Sequence, residues 1–173
     1  MLSCIFRRGQ TLVIAMVLLS GSAFAGLEGA MYVEGNTQGT IAGGNTIGAR
    51  EGSFPVVEMH HLIRYDGNGI EHRQFIVTVP VGVGVPLLHK ALDDQELLEV
   101  EVRFYRVTPV GGQEHHYTIG LSGARLVGAE PMLPDTEMPE NDSTSHRARL
   151  RFEYRSIEHR DLGSGQQTIL QNR

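Results

Sequence analysis

The sequence predicts a mainly β domain, an antiparallel sandwich or barrel with one short helix. Three observations carry this. From Ala30 onward the apolar residues recur mostly with period two rather than 3.6, turn-forming residues break that alternation at intervals, and Leu98–Phe104 and Ala148–Tyr154 alternate without fault. With 173 residues, 40% hydrophobic and 20% charged, the composition is that of one ordinary globular domain.

Taken in order, the first 25 residues stand apart. Arg7 and Arg8 give a positive start, Thr11–Leu19 is an apolar run, and Ala23-Phe24-Ala25 places small residues where a signal peptidase cuts. Ser20-Gly21-Ser22 ends the run short of the roughly 20 apolar residues a membrane span needs. The reading is a signal peptide over 1–25, cleaved between Ala25 and Gly26, and a single β domain over 26–173 with no stable membrane insertion. Cleavage leaves 13 basic side chains against 20 acidic ones, a net charge of −7. Nucleic acid is therefore a poor partner, because phosphate binding draws on Lys and Arg. Cys4, the only cysteine, lies in the leader, so the mature chain has no disulfide and no thiol nucleophile.

Strands are predicted over Ala30–Glu34, Pro55–Tyr65 and His72–Val79. Pro86 suits a first helical position, and Leu88, Ala91 and Leu92 share a side, so a short helix follows and ends in the polar stretch Asp93–Glu96. In the next strand Leu98, Val100, Val102 and Phe104 share one face and Glu99, Glu101 and Arg103 the other. Its phase is lost at Tyr105–Val107, as a bulge requires. Strands over His115–Leu121 and Ala124–Met132 come next. Last, Ala148, Leu150, Phe152 and Tyr154 oppose the basic row Arg147, Arg149 and Arg151, with phase lost again at Ser156-Ile157. Two connections are long: Gly35–Ser53, with six glycines, and Leu133–His146, with Asp135, Glu137, Glu140 and Asp142.

No pattern demands a catalyst, metal or cofactor. Neighbouring strand residues point to opposite faces, so neither His60-His61 nor His115-His116 chelates an ion by itself. His61, on the face of Val57, Met59, Ile63 and Tyr65, reads as a hydrogen-bonded core histidine. The acidic loop lacks EF-hand spacing, Gly82-Val83-Gly84 lacks the third glycine of a dinucleotide fingerprint, and no Gly-x-Ser-x-Gly elbow occurs. The charged strand faces say more. Glu99 with Glu101, and Arg149 with Arg151, either pair across strands within one sheet or meet complementary charges on another subunit.

Residues spread along the chain resemble the Hcp tube proteins of bacterial type VI secretion. They are Tyr32-Val33-Glu34-Gly35 with Gln38-Gly39 and Ile41, then Val79-Pro80, Pro86-Leu87 and Ala91-Leu92, then Phe104-Tyr105-Arg106 with Gly112, Glu114 and Tyr117. Met132-Leu133-Pro134 and Phe152-Glu153-Tyr154 with Ile157 and His159 extend the match over roughly residues 30–165. The resemblance implies two antiparallel sheets in a β-barrel-like sandwich with one short flanking α-helix. It further implies hexameric rings stacked into a hollow tube, a VgrG-like spike above it, sheath proteins around it and small effector proteins in its lumen. The chain would be a non-enzymatic, secreted structural subunit without a toxin domain. Its Gly-rich loop would reach a neighbouring subunit or ring, which makes Gln38, Gly39, Gly43, Gly44 and Arg50 candidate contacts beside Glu99, Glu101, Arg149 and Arg151. The leader departs from this family, whose members are loaded from the cytoplasm without a cleaved signal: either this chain takes another route, through the periplasm, or its translation starts downstream, although a start at Met31 would truncate the first strand. The tail departs too, with Glu158 where aromatic residues are usual and no Trp. The second reading is an exported β-sandwich binding module that reuses the fold.

Overall fold

The computed structural model describes residues 27–108, 110–141 and 145–172. The predicted signal peptide and its cleavage site, Ala25 and Gly26, lie outside the described residues. The chain starts with β1 (Glu28–Gly35), which turns back as β2 (Gly39–Ile41). Four short strands follow: β3 (Phe54–Val56), β4 (Glu58–His60), β5 (Ile63–Tyr65) and β6 (Ile70–His72). Then come β7 (Phe75–Pro80), α1 (Val85–Asp93), β8 (Leu98–Val107) and the 20-residue β9 (Gln113–Met132). The chain closes with β10 (Arg147–Glu153), β11 (Ser156–Asp161) and β12 (Gln167–Gln171).

All pairings are antiparallel. The first sheet runs β2-β1-β8-β9-β11-β12, with β3 also on β1. The second runs β9-β10-β7-β4. β9 serves both, pairing with β8 as far as Ala124 and with β10 from Arg125 on. The change of sheet falls at Gly123, whose φ of +60° an L side chain adopts only under strain. The segment 54–60 rests on β1 at one end and on β7 at the other, joined by the Val57 amide donating to the Thr78 carbonyl at 2.9 Å. The two sheets thus form the expected barrel-like sandwich without closing into a barrel. The hairpin of β5 and β6 forms a separate two-stranded sheet.

Between the sheets lie the alternating residues the period predicted: Leu98, Val100 and Val102 from β8, Ala148, Leu150 and Phe152 from β10, with Met31, Val33, Phe75 and Val77. Burial of each of these side chains larger than alanine contributes about 1.5–3 kcal/mol before entropy is counted. The phase loss on β8 is real. The register shifts between Phe104 and Tyr105, and Tyr105 rather than Arg106 turns inward, at 7% exposure. Past Tyr154 the next buried residue is Ile157, which restores the phase for β11. In α1, Pro86 sits in the first turn and Leu88 and Ala91 face the core. Gly84 opens the helix where a Cβ would lie 2.3 Å from the Ala42 carbonyl oxygen, so only glycine fits.

Four boundaries differ from expectation. The strand predicted over Pro55–Tyr65 is three pieces, because Val57 carries the chain between sheets and His61-Leu62 leave the ladder, the Leu62 carbonyl accepting from the Arg73 amide at 2.9 Å. His72 accordingly belongs to the β5–β6 hairpin, and β7 begins at Phe75. His115–Leu121 and Ala124–Met132 are one bent strand. β2 and β12 were absent from the sequence reading: β2 lies inside the Gly-rich connection, and Gln167–Gln171 is an edge strand with almost no buried face. Among the described residues no helix is long and apolar enough to cross a membrane.

Candidate functional site

The candidate site has three parts, each placed by the sheet register. The first is the outer face of the first sheet. On β8, Glu99 stands opposite Glu34 of β1, and Glu101 stands between Tyr32 of β1 and Gly120 of β9. Glu101 pairs with Arg103 on its own strand, and the Arg103 guanidinium lies 4.3 Å from the centre of the Tyr32 ring. Glu99 accepts the Gly123 amide at 3.0 Å. Glu158 of β11, held by Arg160, adds a further acid. Glu99, Glu101, Tyr32, Gly120 and Glu158 border a shallow cleft of about 390 Å³. Like charges directly opposite, as at Glu34 and Glu99, cost stability in an isolated sheet.

The second part is the outer face of the second sheet, which looks away from the first because the two share one core. Arg149 of β10 stands between Thr78 of β7 and Glu130 of β9, and Arg151 between Ile76 and Gly128. Arg151 donates to Glu130 at 2.9 Å. Arg149 has no ion-pair partner among the described residues but faces Glu58 at a distance. The hydrogen bond from His60, with the fields of His60 and Arg149 behind it, holds the Glu58 carboxyl below its usual range.

The third part is the Gly-rich connection, which is a folded element. Glu96, 6% exposed, accepts from the amides of Thr37 and Gln38 and from the Gln38 side chain, the last at 2.7 Å. Burial pushes the Glu96 carboxyl up, but these donors outweigh it and hold it below the usual range. Gln38 also donates to the Leu87 carbonyl at 3.3 Å. Gly39 begins β2 at the turn. Gly43 lies so close to the returning chain that a Cβ would meet the Ser53 carbonyl oxygen at 2.4 Å, while Gly44 faces open space. Arg50 is buried: it pairs with Glu28, donates to Gln113 at 2.7 Å and lies 5.2 Å from the centre of the Tyr105 ring. The exposed stretch between these anchors is 46–49, with Ile47 60% exposed.

The structure therefore brings Glu99 and Glu101 together, brings Arg149 and Arg151 together, and sets the two pairs on different sheets. The role of Glu96 was missed in the sequence, where it read as the polar end of a helix. A second missed group is the docking of hairpin β5–β6. The Tyr154 hydroxyl lies 2.7 Å from His61 Nε2 and 2.9 Å from His72 Nδ1, so one ring accepts the phenolic proton while the other donates its N–H. Burial, reinforced by the fields of His159 and His72, drives His61 down to about 4, and burial pushes Tyr154 up to about 12. His61 is thus hydrogen-bonded as expected, but half-buried rather than in the core: it lies between β4 and β5, Val57 and Tyr65 of its predicted face are exposed, and its partner comes from the far end of the chain. Among the described residues no group of histidines, cysteines or carboxylates is arranged to hold a metal ion.

No family model matches the sequence. A curated relative, the "Major exported protein" of Pseudomonas aeruginosa PAO1, is 33% identical over 87 residues, a match spanning 50% of this chain and 51% of the relative. Among solved structures, the secreted protein Hcp3 of Pseudomonas aeruginosa superposes with a TM-score of 0.73 at 26% identity, covering 86% of this chain and 99% of the other. A crystal structure of an Hcp protein gives a TM-score of 0.78 at 24% identity, again over 86% and 99%. Hcp1 of E. coli EAEC 042 gives 0.73 at 18% identity over 83% and 96%. The chain has the Hcp fold, and its likeness to these proteins runs through the whole β domain.

Proposed function

We propose that this chain is a non-enzymatic tube subunit of type VI secretion, which forms hexameric rings that stack into a hollow, secreted tube. The observation that carries the reading is the likeness to a secreted Hcp protein over 99% of that protein's length. The charge layout agrees with it. A ring needs a head-to-tail interface whose rotation closes, with different surfaces meeting across each joint. An acidic face on one sheet and a basic face on the other are two such surfaces, and complementary charges set their register and orientation. Glu99 and Glu101 of one subunit then face Arg149 and Arg151 of the next. The connection bearing Gln38, Gly39, Gly43, Gly44 and Arg50 shapes the adjoining contact, with 46–49 as the part free to reach a neighbour. A VgrG-like spike, sheath proteins and small effectors in the lumen are the partners this assignment brings.

The test is recovery of the protein from the medium of cells with and without a working contractile sheath. Appearance in the medium only with the sheath is expected, and sheath-independent release overturns the proposal. The leader favours a second reading, an exported binding module of the same fold, and mass analysis of the N-terminus separates the two. A chain starting at Gly26 in the periplasm, never found with a spike or sheath, would select the module.

A further inference from the structure

One cleft is out of keeping with an acidic chain. Where β10 ends and β9 changes sheet, Arg73, Arg125 and Arg155 converge with Glu153, Tyr154 and Leu97 on a groove of about 390 Å³. Arg73 is partnered by Glu71 at 2.8 Å. Arg125 reaches only the Gln95 carbonyl, at 3.3 Å, and Arg155 lies across Gly123, where an added Cβ would sit 3.2 Å from its own Cβ. Both are exposed, and among the described residues neither forms an ion pair with a carboxylate. Two forked guanidiniums open to solvent on one groove suit a carboxylate partner.

The complementary charge stands at the other end of the same strand pair. Beyond β9, Asp135 and Glu137 are exposed, and Asp135 Oδ1 accepts the Glu137 amide at 3.0 Å while the Asp135 carbonyl accepts from Asn141 at 2.8 Å. Leu133, 70% exposed, and Met138, 48% exposed, flank these acids as Leu97, 37% exposed, flanks the groove. Met132 pairs with Arg147 at the start of β10, whereas Arg125 pairs with Glu153 at its end. At about 3.3 Å per residue the two ends lie roughly 20 Å apart, too far for the acids to reach the groove of their own chain.

We infer that the Arg125–Arg155 groove receives the Asp135–Glu137 segment of a second copy of this chain, end to end. Site and counter-site are different surfaces at opposite ends, so the contact is heterologous and repeats from copy to copy, as ring stacking requires. This rests on the tube reading and names the contact between its rings. Sequence patterning could not have found it, since Arg125, Arg155 and Arg73 are distant in the chain.

The test uses the mature chain, residues 26–173, with ring mass read by light scattering and stacking read by sedimentation and electron microscopy. R125E/R155E is expected to keep the ring mass and unfolding temperature while stacking falls about tenfold or more. D135R/E137R should do the same, and mixing the two reversed variants should restore stacking between them. Loss of the ring itself in R125E/R155E would place the groove within the ring and overturn the assignment. Unchanged stacking, with lost binding of a glutamate-rich peptide, would assign the groove to an acidic partner protein and overturn it as well. A wild-type chain that forms neither rings nor stacks removes the tube reading and this contact together, whereas wild-type stacks that survive R125E/R155E remove this contact alone.

Discussion

The outer faces of β8 and β10 are alike in sequence, each alternating charge with apolar residues, yet they differ in how much of that charge is answered within the chain. On β8, Glu101 has Arg103, Glu99 has the Gly123 amide, and Arg103 is stacked on Tyr32. On β10, Arg151 has Glu130, whereas Arg149 stands between Thr78 and that same Glu130, with Glu58 facing it only at a distance. The difference follows from register. A strand's own spacing says which residues share a face, but the neighbours decide whether a charge is neutralised, and β8 and β10 have different neighbours. The acidic and basic rows cannot neutralise one another in one subunit because they belong to different sheets. Intrachain ion pairs therefore account for Arg151 and Glu101, while among the described residues Arg149 and Glu99 form none.

Reversing the basic row should have the largest effect. R149E/R151E should abolish ring assembly while the monomer keeps its circular dichroism spectrum, and an unchanged oligomer would mean these charges are merely solvated. Next in size is the loop anchor. Glu96→Ala leaves two part-buried amides and the Gln38 side chain without their acceptor, and urea unfolding should register a loss of about 1–2 kcal/mol. Glu96→Gln should cost less.

The third effect is a pH dependence from the hairpin dock. Unfolded, His61 titrates near 6.5, and folded it titrates at about 4. Between those values the unfolded chain binds the extra proton, so stability is fully present above pH 6.5 and declines as pH falls toward 4. Allowing for the partial exposure of the ring, the loss should be about 1–2 kcal/mol, read as a falling Tm that His61→Gln flattens. The smallest effect is on the acidic face. Glu99→Gln relieves the repulsion with Glu34 and should stabilise the subunit by a few tenths of a kcal/mol in thermal unfolding, while weakening the ring.

Much of the fold was legible because period-two burial is a local property. Leu98, Val100 and Val102, or Ala148, Leu150 and Phe152, announce their faces without knowledge of their neighbours, and even the slip at Tyr105 shows as a break in phase. What stayed hidden depends on contacts between distant residues. Glu96 looks like an ordinary helix end until Thr37 and Gln38 close on it, about 60 residues earlier in the chain. Tyr154 meets His61 and His72 only after the hairpin docks. The edge strand β12 has too little burial to leave a pattern. The charged rows were readable as faces, but their placement on separate sheets required the register of β9, which turns from one sheet to the other at a single glycine.

In the proposed ring, two oppositely charged faces of successive subunits join head to tail. The mass of purified residues 26–173 in solution at micromolar concentration tests it most directly. A salt-sensitive six-subunit particle that R149E/R151E reduces to folded monomers is expected, and a wild-type chain that stays monomeric at that concentration would rule the ring out.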